Sequence, residues 1–162
     1  MDDRALLRLR QAALVLVLGS GLTLAGAFYF EFVLGYAPCK LCLTERLPHY
    51  AAIPLGLLGL AAPERATRLL LGLAAAGLLY GAGLSVYHAG AEWAFWTGPS
   101  DCGGGTGAAP AAIGDFLNAL EKTRVVDCAT AAWRLFGISL AGWNGLVSFV
   151  LASVAGTAAL RR

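Results

Sequence analysis

Long runs without a charged residue constrain the fold of this chain more than any other feature. Residues 11–30 carry no charge over 20 positions, residues 69–87 over 19 and residues 135–160 over 26. About 20 consecutive apolar residues are enough to cross a bilayer as a helix. Charged residues make up only 14% of the sequence, against about 25% in soluble domains. We therefore predict a single integral membrane domain over residues 1–162, surrounded by the lipid bilayer.

A fourth, weaker apolar segment lies at residues 43–62. Its uninterrupted apolar part, residues 50–62, has only 13 positions, a length that also suits a buried or interfacial segment. We predict an all-α protein with four transmembrane helices, at about 11–31, 43–62, 69–88 and 135–160. A cleaved signal peptide ending near Ala25-Gly26-Ala27 is the alternative for the first span. Its apolar region is longer than the usual core of about 7 to 15 residues, so an uncleaved span is preferred.

The connections between the spans are predicted to include outer loops at about 32–42 and 91–133. Residues 103–107 are almost all glycine but lack the GK[ST] ending of a phosphate loop, so they indicate a flexible hinge beside Cys102. Apolar residues recur at helical spacing over residues 113–126, with charged residues between them. This pattern predicts a short amphipathic helix on the membrane surface, within the long loop.

The basic residues indicate the orientation. With four spans, both termini and the turn at 63–68 share one side. That side holds seven of the twelve basic residues: Arg4, Arg8, Arg10, Arg65, Arg68, Arg161 and Arg162. Because basic residues favour the cytoplasmic side, we predict cytoplasmic termini and cysteines on the outer side, which in a bacterium is the periplasm. The net charge of +2 is too small to indicate a nucleic-acid partner.

The four cysteines carry the chemistry. Cys39 and Cys42 form a C-x-x-C motif at the start of the second span, and Cys102 and Cys128 lie in the long loop. On a helix, Cys42 and Arg46 lie one turn apart on one face, where a guanidinium favours a reactive thiolate. Two structural disulfides are an alternative. A four-cysteine zinc or iron–sulfur site usually has two close pairs, so we predict no metal.

Two dithiol pairs on one membrane face indicate an electron relay. The sequence contains no nucleotide, haem C-x-x-C-H or flavin motif, whereas a lipid-soluble quinone needs only an apolar cleft with a few polar groups. Arg46 could stabilise negative charge that develops on a quinone oxygen, and His88 could donate a hydrogen bond to the headgroup. Each residue also has a structural alternative. Arg46 could be a surface anchor paired with Glu45, and His88 could simply lie at the membrane interface.

The chain resembles the bacterial disulfide-bond-formation protein B (DsbB) family, which reoxidises the periplasmic thiol oxidant DsbA and reduces quinones. The resemblance covers nearly the whole chain. It rests on Pro38-Cys39-Lys40-Leu41-Cys42 followed by Glu45-Arg46, on His88, on the two loop cysteines, and on the segment from Phe136 to Trp143.

The resemblance implies a four-helix bundle and a role for each matching residue. Cys102 would form the mixed disulfide with a DsbA-like partner, and Cys128 would then pair transiently with Cys39. Cys42 would face the quinone, either ubiquinone or menaquinone, with Arg46, Glu45 and His88 at the quinone site.

Two other functions fit part of this pattern. One is a quinone-linked oxidoreductase similar to vitamin K epoxide reductase, although in that family the electron-transfer C-x-x-C usually lies late in the bundle. The other is a non-catalytic membrane scaffold with structural disulfides. We predict a thiol:quinone oxidoreductase of the DsbB type.

Overall fold

Four long helices dominate the computed structural model, which describes residues 3–99, 124–125 and 128–161. They are α1 (Asp3–Phe28), α2 (Lys40–Ala61), α3 (Glu64–Glu92) and α4 (Leu140–Leu160). A π-helical turn, Tyr29–Val33, continues α1. Among the described residues, three helices are long and apolar enough to cross a membrane: α1 with its π-helical turn, α3 and α4. The prediction of a mainly helical membrane protein is therefore confirmed.

The helix α2 is not among those three, because charged and polar side chains occupy its first turns. Its 22 residues nevertheless give it a length of about 33 Å, that of a membrane span. Glu45 and His49, which lower its apolarity, are only 5% and 1% exposed. These polar groups thus face other helices rather than the outside of the bundle.

The helix ends differ from the predicted spans where the chain turns polar. The π-helical turn keeps Glu31 helical beyond the apolar part of α1. The helix α3 continues four residues past His88 to Glu92. His88 is consequently buried inside the bundle, at 2% exposure, instead of lying at the interface as the structural alternative assumed.

A short hairpin precedes α4. Strand β3 (Arg134–Leu135) pairs antiparallel with β4 (Ile138–Ser139). The two turn residues between them, Phe136 and Gly137, both have positive φ angles, of 52° and 81°, as a two-residue hairpin turn requires. The Ser139 hydroxyl then accepts a hydrogen bond from the Gly142 N–H and caps α4. The fourth helix therefore begins at Leu140, five residues after the predicted start.

A second pair of strands joins the two loops that carry the cysteines. Strand β1 (Tyr36–Ala37) lies parallel to β2 (Arg124–Val125), with Tyr36 opposite Arg124 and Ala37 opposite Val125. Most of the predicted surface helix at 113–126 lies outside the described residues. At its described positions, 124 and 125, the chain is a strand, so a helix through residue 126 is wrong there.

The four helices form a closed bundle in which α1 contacts α2, α2 contacts α3, α3 contacts α4, and α4 contacts α1. Small side chains make up much of its core, which lets the helix backbones approach closely. The buried core residues are Leu9, Ala12, Ala13, Leu16, Ala52, Leu71, Ala74, Ala75, Leu78, Leu151, Ala152 and Ala155. Leucines and aromatic residues on the outer faces remain exposed, as a lipid-facing surface requires.

Gly81 of α3 packs closely against Pro48 of α2. A Cβ atom at this position would lie 2.9 Å from Cγ of the rigid Pro48 ring, whereas one at Gly77, a turn earlier, would meet nothing within 4 Å. Gly77 and Gly81 form a GxxxG pattern, and only Gly81 lies where helix packing within this chain requires a glycine.

We expect Gly81→Ala to destabilise the bundle by about 1–3 kcal/mol, because the added methyl group overpacks the contact with Pro48. Gly77→Ala is the matched control and should be neutral or slightly stabilising, since alanine is the better helix former. Unfolding of the detergent-solubilised protein, followed by circular dichroism, measures both. Equal unfolding midpoints for the two variants would contradict the assignment.

Candidate functional site

The C-x-x-C motif lies at the N-terminus of α2, where Cys39 is the capping residue. The Cys39 Sγ atom accepts a hydrogen bond from the Cys42 backbone N–H over 3.1 Å, and the two Sγ atoms lie 2.7 Å apart. Both cysteines are free thiols in the structure. Cys39 is completely buried, while Cys42 is partly exposed. The two sulfur atoms therefore share one hydrogen bond but face different surroundings.

Cys128 packs against Cys39, and Leu41 and Cys42 border the pair. The pairing of β1 with β2 explains this contact, since Cys39 follows β1 by two residues and Cys128 follows β2 by three. Cys128 is 1% exposed and disulfide-bonded. Cys102, the other predicted loop cysteine, lies outside the described residues.

The negative charge of the reduced C-x-x-C pair resides on Cys39. Its hydrogen bond with the Cys42 side chain, supported by His88 and by the Cys42 N–H, outweighs burial and lowers the pKa of Cys39 to about 5. A thiol that receives several hydrogen bonds loses its proton readily, because each bond stabilises the thiolate. The remaining proton of the pair then sits on Cys42.

A buried histidine links Cys39 to a carboxylate. His88 Nε2 lies 3.8 Å from Cys39 Sγ, and His88 Nδ1 lies 2.7 Å from Oε1 of Glu45. A second carboxylate, Glu92, places Oε1 3.9 Å from His88 Nε2. The side chains of all three residues are less than a tenth exposed. Two of the predicted site residues, Glu45 and His88, are thus in direct contact with each other.

Arg46 bonds to a residue that the sequence analysis did not consider. Its guanidinium donates to Oε2 of Glu31 at 2.5 Å and lies 5.4 Å from the centre of the Phe28 ring. Both partners come from α1 and its π-helical turn. The alternative in which Arg46 pairs with Glu45 is therefore wrong, because Glu45 bonds to α3 and α4 instead.

A polar network extends from Glu45 to α4. Asn144 donates to Oε2 of Glu45 over 3.2 Å and to the Ser85 hydroxyl over 2.8 Å. Its Oδ1 atom lies 3.2 Å from Nε2 of His49, which also contacts the Ser148 hydroxyl. The sequence analysis missed Asn144 as a site residue. A single asparagine within a 26-residue uncharged run was the available signal, since polar groups inside a span face the bundle interior.

A cavity of about 520 Å³ opens beside these residues. Its walls are largely apolar and include Leu22, Phe30 and Val147, while Cys42, Arg46, His49 and Asn144 supply polar groups. His49 Nδ1 is a buried atom without a hydrogen-bond partner among the described residues. The size of the cavity, and its apolar wall with few polar groups, are typical of a small-molecule site.

The structure thus brings together six of the seven predicted site residues: Cys39, Cys42, Glu45, Arg46, His88 and Cys128. It adds Glu31, His49, Glu92 and Asn144 to them. Cys128 meets the C-x-x-C pair at one end of a polar network that borders an apolar cavity.

Comparison with known proteins shows the family of this chain. The family model for "Disulfide bond formation protein DsbB" matches residues 9–158. Disulfide bond formation protein B of Verminephrobacter eiseniae is 33% identical over 88% of this chain and 78% of its own length. The protein of the same name from Marinobacter nauticus is 35% identical over 82% of this chain and 80% of its own. No solved structure matches the chain.

This chain belongs to the DsbB family. Membership in that family makes it a membrane protein of disulfide bond formation, which confirms the resemblance derived from its cysteine motifs. The reactive cysteines of such an oxidoreductase need a lowered pKa, and the geometry at Cys39 supplies it.

We expect the reduced C-x-x-C pair to ionise near pH 5, with the thiolate present above that pH and protonated below it. Replacing His88 with Gln removes one stabilising partner of the thiolate, so the pKa of Cys39 should rise. Ultraviolet thiolate absorbance measures this on a protein that carries Cys102→Ser and Cys128→Ser. His49→Gln is the control, because the His49 ring bonds to Asn144 and Ser148. An ionisation midpoint that His88→Gln leaves in place would contradict the contact.

Proposed function

We propose that this protein oxidises the dithiol of a periplasmic DsbA-like partner and passes the two electrons to a membrane quinone. One observation carries the proposal: the two cysteines of the C-x-x-C motif face different groups. Cys39 packs against Cys128, and Cys42 lines the apolar cavity together with Arg46. The first contact suits exchange with the loop cysteines, and the second suits delivery of electrons into the membrane.

The thiol steps balance as two successive exchanges. In the first, the partner dithiol attacks the Cys102–Cys128 disulfide, becomes a disulfide itself and leaves both loop cysteines reduced. In the second, the Cys128 thiolate attacks Cys39 of the Cys39–Cys42 disulfide and releases Cys42. Attack by Cys102 on Cys128 then restores the loop disulfide and releases Cys39. Two electrons now reside in the C-x-x-C dithiol.

The cavity fits a quinone headgroup. It is apolar enough for a lipid-soluble ring, and Arg46 and His49 are among the polar side chains that line it. A quinone, either ubiquinone or menaquinone, would supply an acceptor for two electrons and two protons. Arg46 and His49 would hold the ring, while Cys42 lies in the same wall.

Arg46 is positioned to stabilise negative charge in the cavity. The Glu31 carboxylate and the Phe28 ring hold its guanidinium, so little conformational entropy is lost when a ligand binds. Arg46 also lies one helical turn from Cys42, where its charge favours the thiolate of that residue once Cys39 is in a disulfide with Cys128.

His88 and Glu45 are positioned to accept protons from the sulfur atoms. His88 bridges Cys39 and Glu45, and Asn144 connects Glu45 with His49 on the cavity wall. A proton that leaves the cysteine pair can be held at Nε2 of His88. The hydrogen bond at Nδ1 fixes the orientation of the ring for this role.

The proposed topology follows from the same contacts. The helix α2 crosses the membrane with Glu45, Arg46 and His49 directed at other helices, which lowers the cost of placing them there. In the inner membrane, both termini are cytoplasmic and the cysteines are periplasmic. The reason is that the tails and the 63–68 turn carry most of the basic residues, which favour the cytoplasmic side.

We expect Arg46→Met to slow quinone-dependent thiol oxidation on the order of 100-fold, the cost of removing one charge-stabilising donor. Exchange between Cys102 and the partner should remain measurable, since the guanidinium of Arg46 is held by Glu31 and Phe28 on the cavity side. Stopped-flow quinone reduction with the purified protein tests this. Arg65→Met, at an exposed arginine near the start of α3, is the matched control. Normal quinone kinetics in Arg46→Met would remove the proposed role of Arg46.

We expect Cys128→Ser to accumulate a mixed disulfide between Cys102 and the partner. The free Cys102 thiol attacks the disulfide of an oxidised DsbA-like protein, forms a mixed disulfide and releases the second thiol of the partner, and no Cys128 thiol is present to close the loop disulfide and free the partner. Acid quenching and non-reducing electrophoresis detect the adduct. The double variant with Cys102→Ser should give none. Failure to recover an adduct with Cys128→Ser would count against Cys102 as the residue that meets the partner.

A further inference from the structure

Three soft or borderline ligand atoms converge at the N-terminus of α2. The Sγ atoms of Cys39 and Cys42 and the Nε2 atom of His88 all lie within 4.8 Å of one another. Cys39 and His88 are buried and Cys42 is partly buried. Two thiolates and an imidazole are the donor types that zinc prefers in proteins.

A fourth donor stands beside them. The Oε1 atom of Glu92 lies 3.9 Å from His88 Nε2, and its side chain is 5% exposed. The other oxygen, Glu92 Oε2, is buried and has no hydrogen-bond partner among the described residues. A buried carboxylate oxygen without a partner is costly, and a cation bound at His88 would remove that cost.

The outer contacts of His88 are also those of a metal ligand. Its Nδ1 atom bonds to the Glu45 carboxylate at 2.7 Å, which leaves Nε2 directed at the sulfur atoms. A carboxylate bonded to the far nitrogen of a histidine orients the ring and makes it a better ligand. The C-x-x-C pair, His88, Glu92 and Glu45 together therefore supply both the ligands and their support.

The distances among Cys39 Sγ, Cys42 Sγ and His88 Nε2 suit a tetrahedral ion after a small movement, whereas Glu92 lies outside that group of atoms and must turn toward it to become the fourth ligand. With Zn–S bonds of about 2.3 Å, two ligand atoms of a tetrahedral site stand about 3.8 Å apart. A sulfur and a nitrogen ligand stand about 3.5 Å apart, because the Zn–N bond is about 2.0 Å, and Cys39 Sγ and His88 Nε2 are already close to this separation at 3.8 Å. The two sulfur atoms, now 2.7 Å apart, must separate by about 1 Å, which side-chain rotation of the partly exposed Cys42 allows.

We propose that the reduced protein binds one Zn²⁺ ion through Cys39, Cys42, His88 and Glu92, and that oxidation of the C-x-x-C pair abolishes the site. Both sulfur atoms are consumed when the disulfide forms, so metal binding and disulfide formation exclude each other. If the pair transfers electrons as proposed above, bound zinc blocks that transfer. The sequence predicts no metal because it lacks a second close cysteine pair, whereas His88 and Glu92 supply the other two ligands of the proposed site.

The test uses the full-length protein in detergent, with Cys102→Ser and Cys128→Ser so that only one cysteine pair remains. The reduced protein is titrated with Zn²⁺ against a chromogenic chelator, and the same protein is measured after oxidation. We expect one zinc per reduced chain and none per oxidised chain. Zinc bound equally in both redox states, or no stoichiometric binding to the reduced chain, would overturn the proposal.

Variants separate this site from other thiol binding. Cys42→Ser and His88→Gln should abolish stoichiometric binding, and Glu45→Gln should weaken it about 10- to 100-fold, as loss of an orienting partner does. Arg65→Met, at an exposed position near the start of α3, is the control and should bind as the parent does. Co²⁺ substituted for zinc should give thiolate charge-transfer absorption that Cys42→Ser diminishes. Zinc affinity unchanged by His88→Gln would rule out the proposed ligand set.

These measurements need no quinone and no partner protein. A protein that binds zinc but fails to reduce quinone would refute the proposed function and leave the metal site standing. The reverse result would refute the metal site alone. Inhibition of quinone-dependent turnover by Zn²⁺, relieved by a chelator, is expected only if both hold.

Discussion

A carboxylate inside an apolar helix bundle must find hydrogen-bond partners, and Glu45 finds them on two other helices. One oxygen bonds to His88 of α3 and the other to Asn144 of α4. A buried carboxylate without such partners would cost several kcal/mol. The pairing therefore fixes how α2 is rotated and how far it is shifted along its neighbours. The position of the C-x-x-C motif, one turn away, follows from that placement.

Close packing is the second condition for this network, because side chains can bond across the bundle only where the helix backbones are near. Small residues allow this approach at the level of the polar groups. A Cβ atom on Gly145 of α4 would lie 3.2 Å from Cβ of Ser85 in α3. The residue before Gly145 is Asn144, whose side chain donates a hydrogen bond to the Ser85 hydroxyl. The close contact between α3 and α4 thus also provides a hydrogen-bond partner for the Asn144 side chain. Packing and the polar site are coupled here.

The sequence predicts the helices well because uncharged runs of about 20 residues have few alternatives. It predicts their ends less well, since nothing in the run from 135 to 160 marks the hairpin turn at Phe136 and Gly137. The cysteines, Glu45, Arg46 and His88 were identified because chemically distinctive residues are rare in such a chain. Their partners were not, because the pairing of Arg46 with Glu31 depends on the rotation of α1 relative to α2, which periodicity alone does not determine. The π-helical turn that holds Glu31 has no clear sequence signal.

The two cysteines of the motif differ through their surroundings rather than through their chemistry. Hydrogen bonds from the Cys42 side chain and backbone, together with His88, hold the negative charge on Cys39 while both are reduced. Once Cys39 bonds to another sulfur atom, it can no longer carry that charge. The cationic group nearest in helical spacing to the remaining thiol is then Arg46, in the wall of the same cavity. A change of covalent partner at Cys39 therefore leaves Cys42, in the wall of the cavity, as the free thiol of the motif.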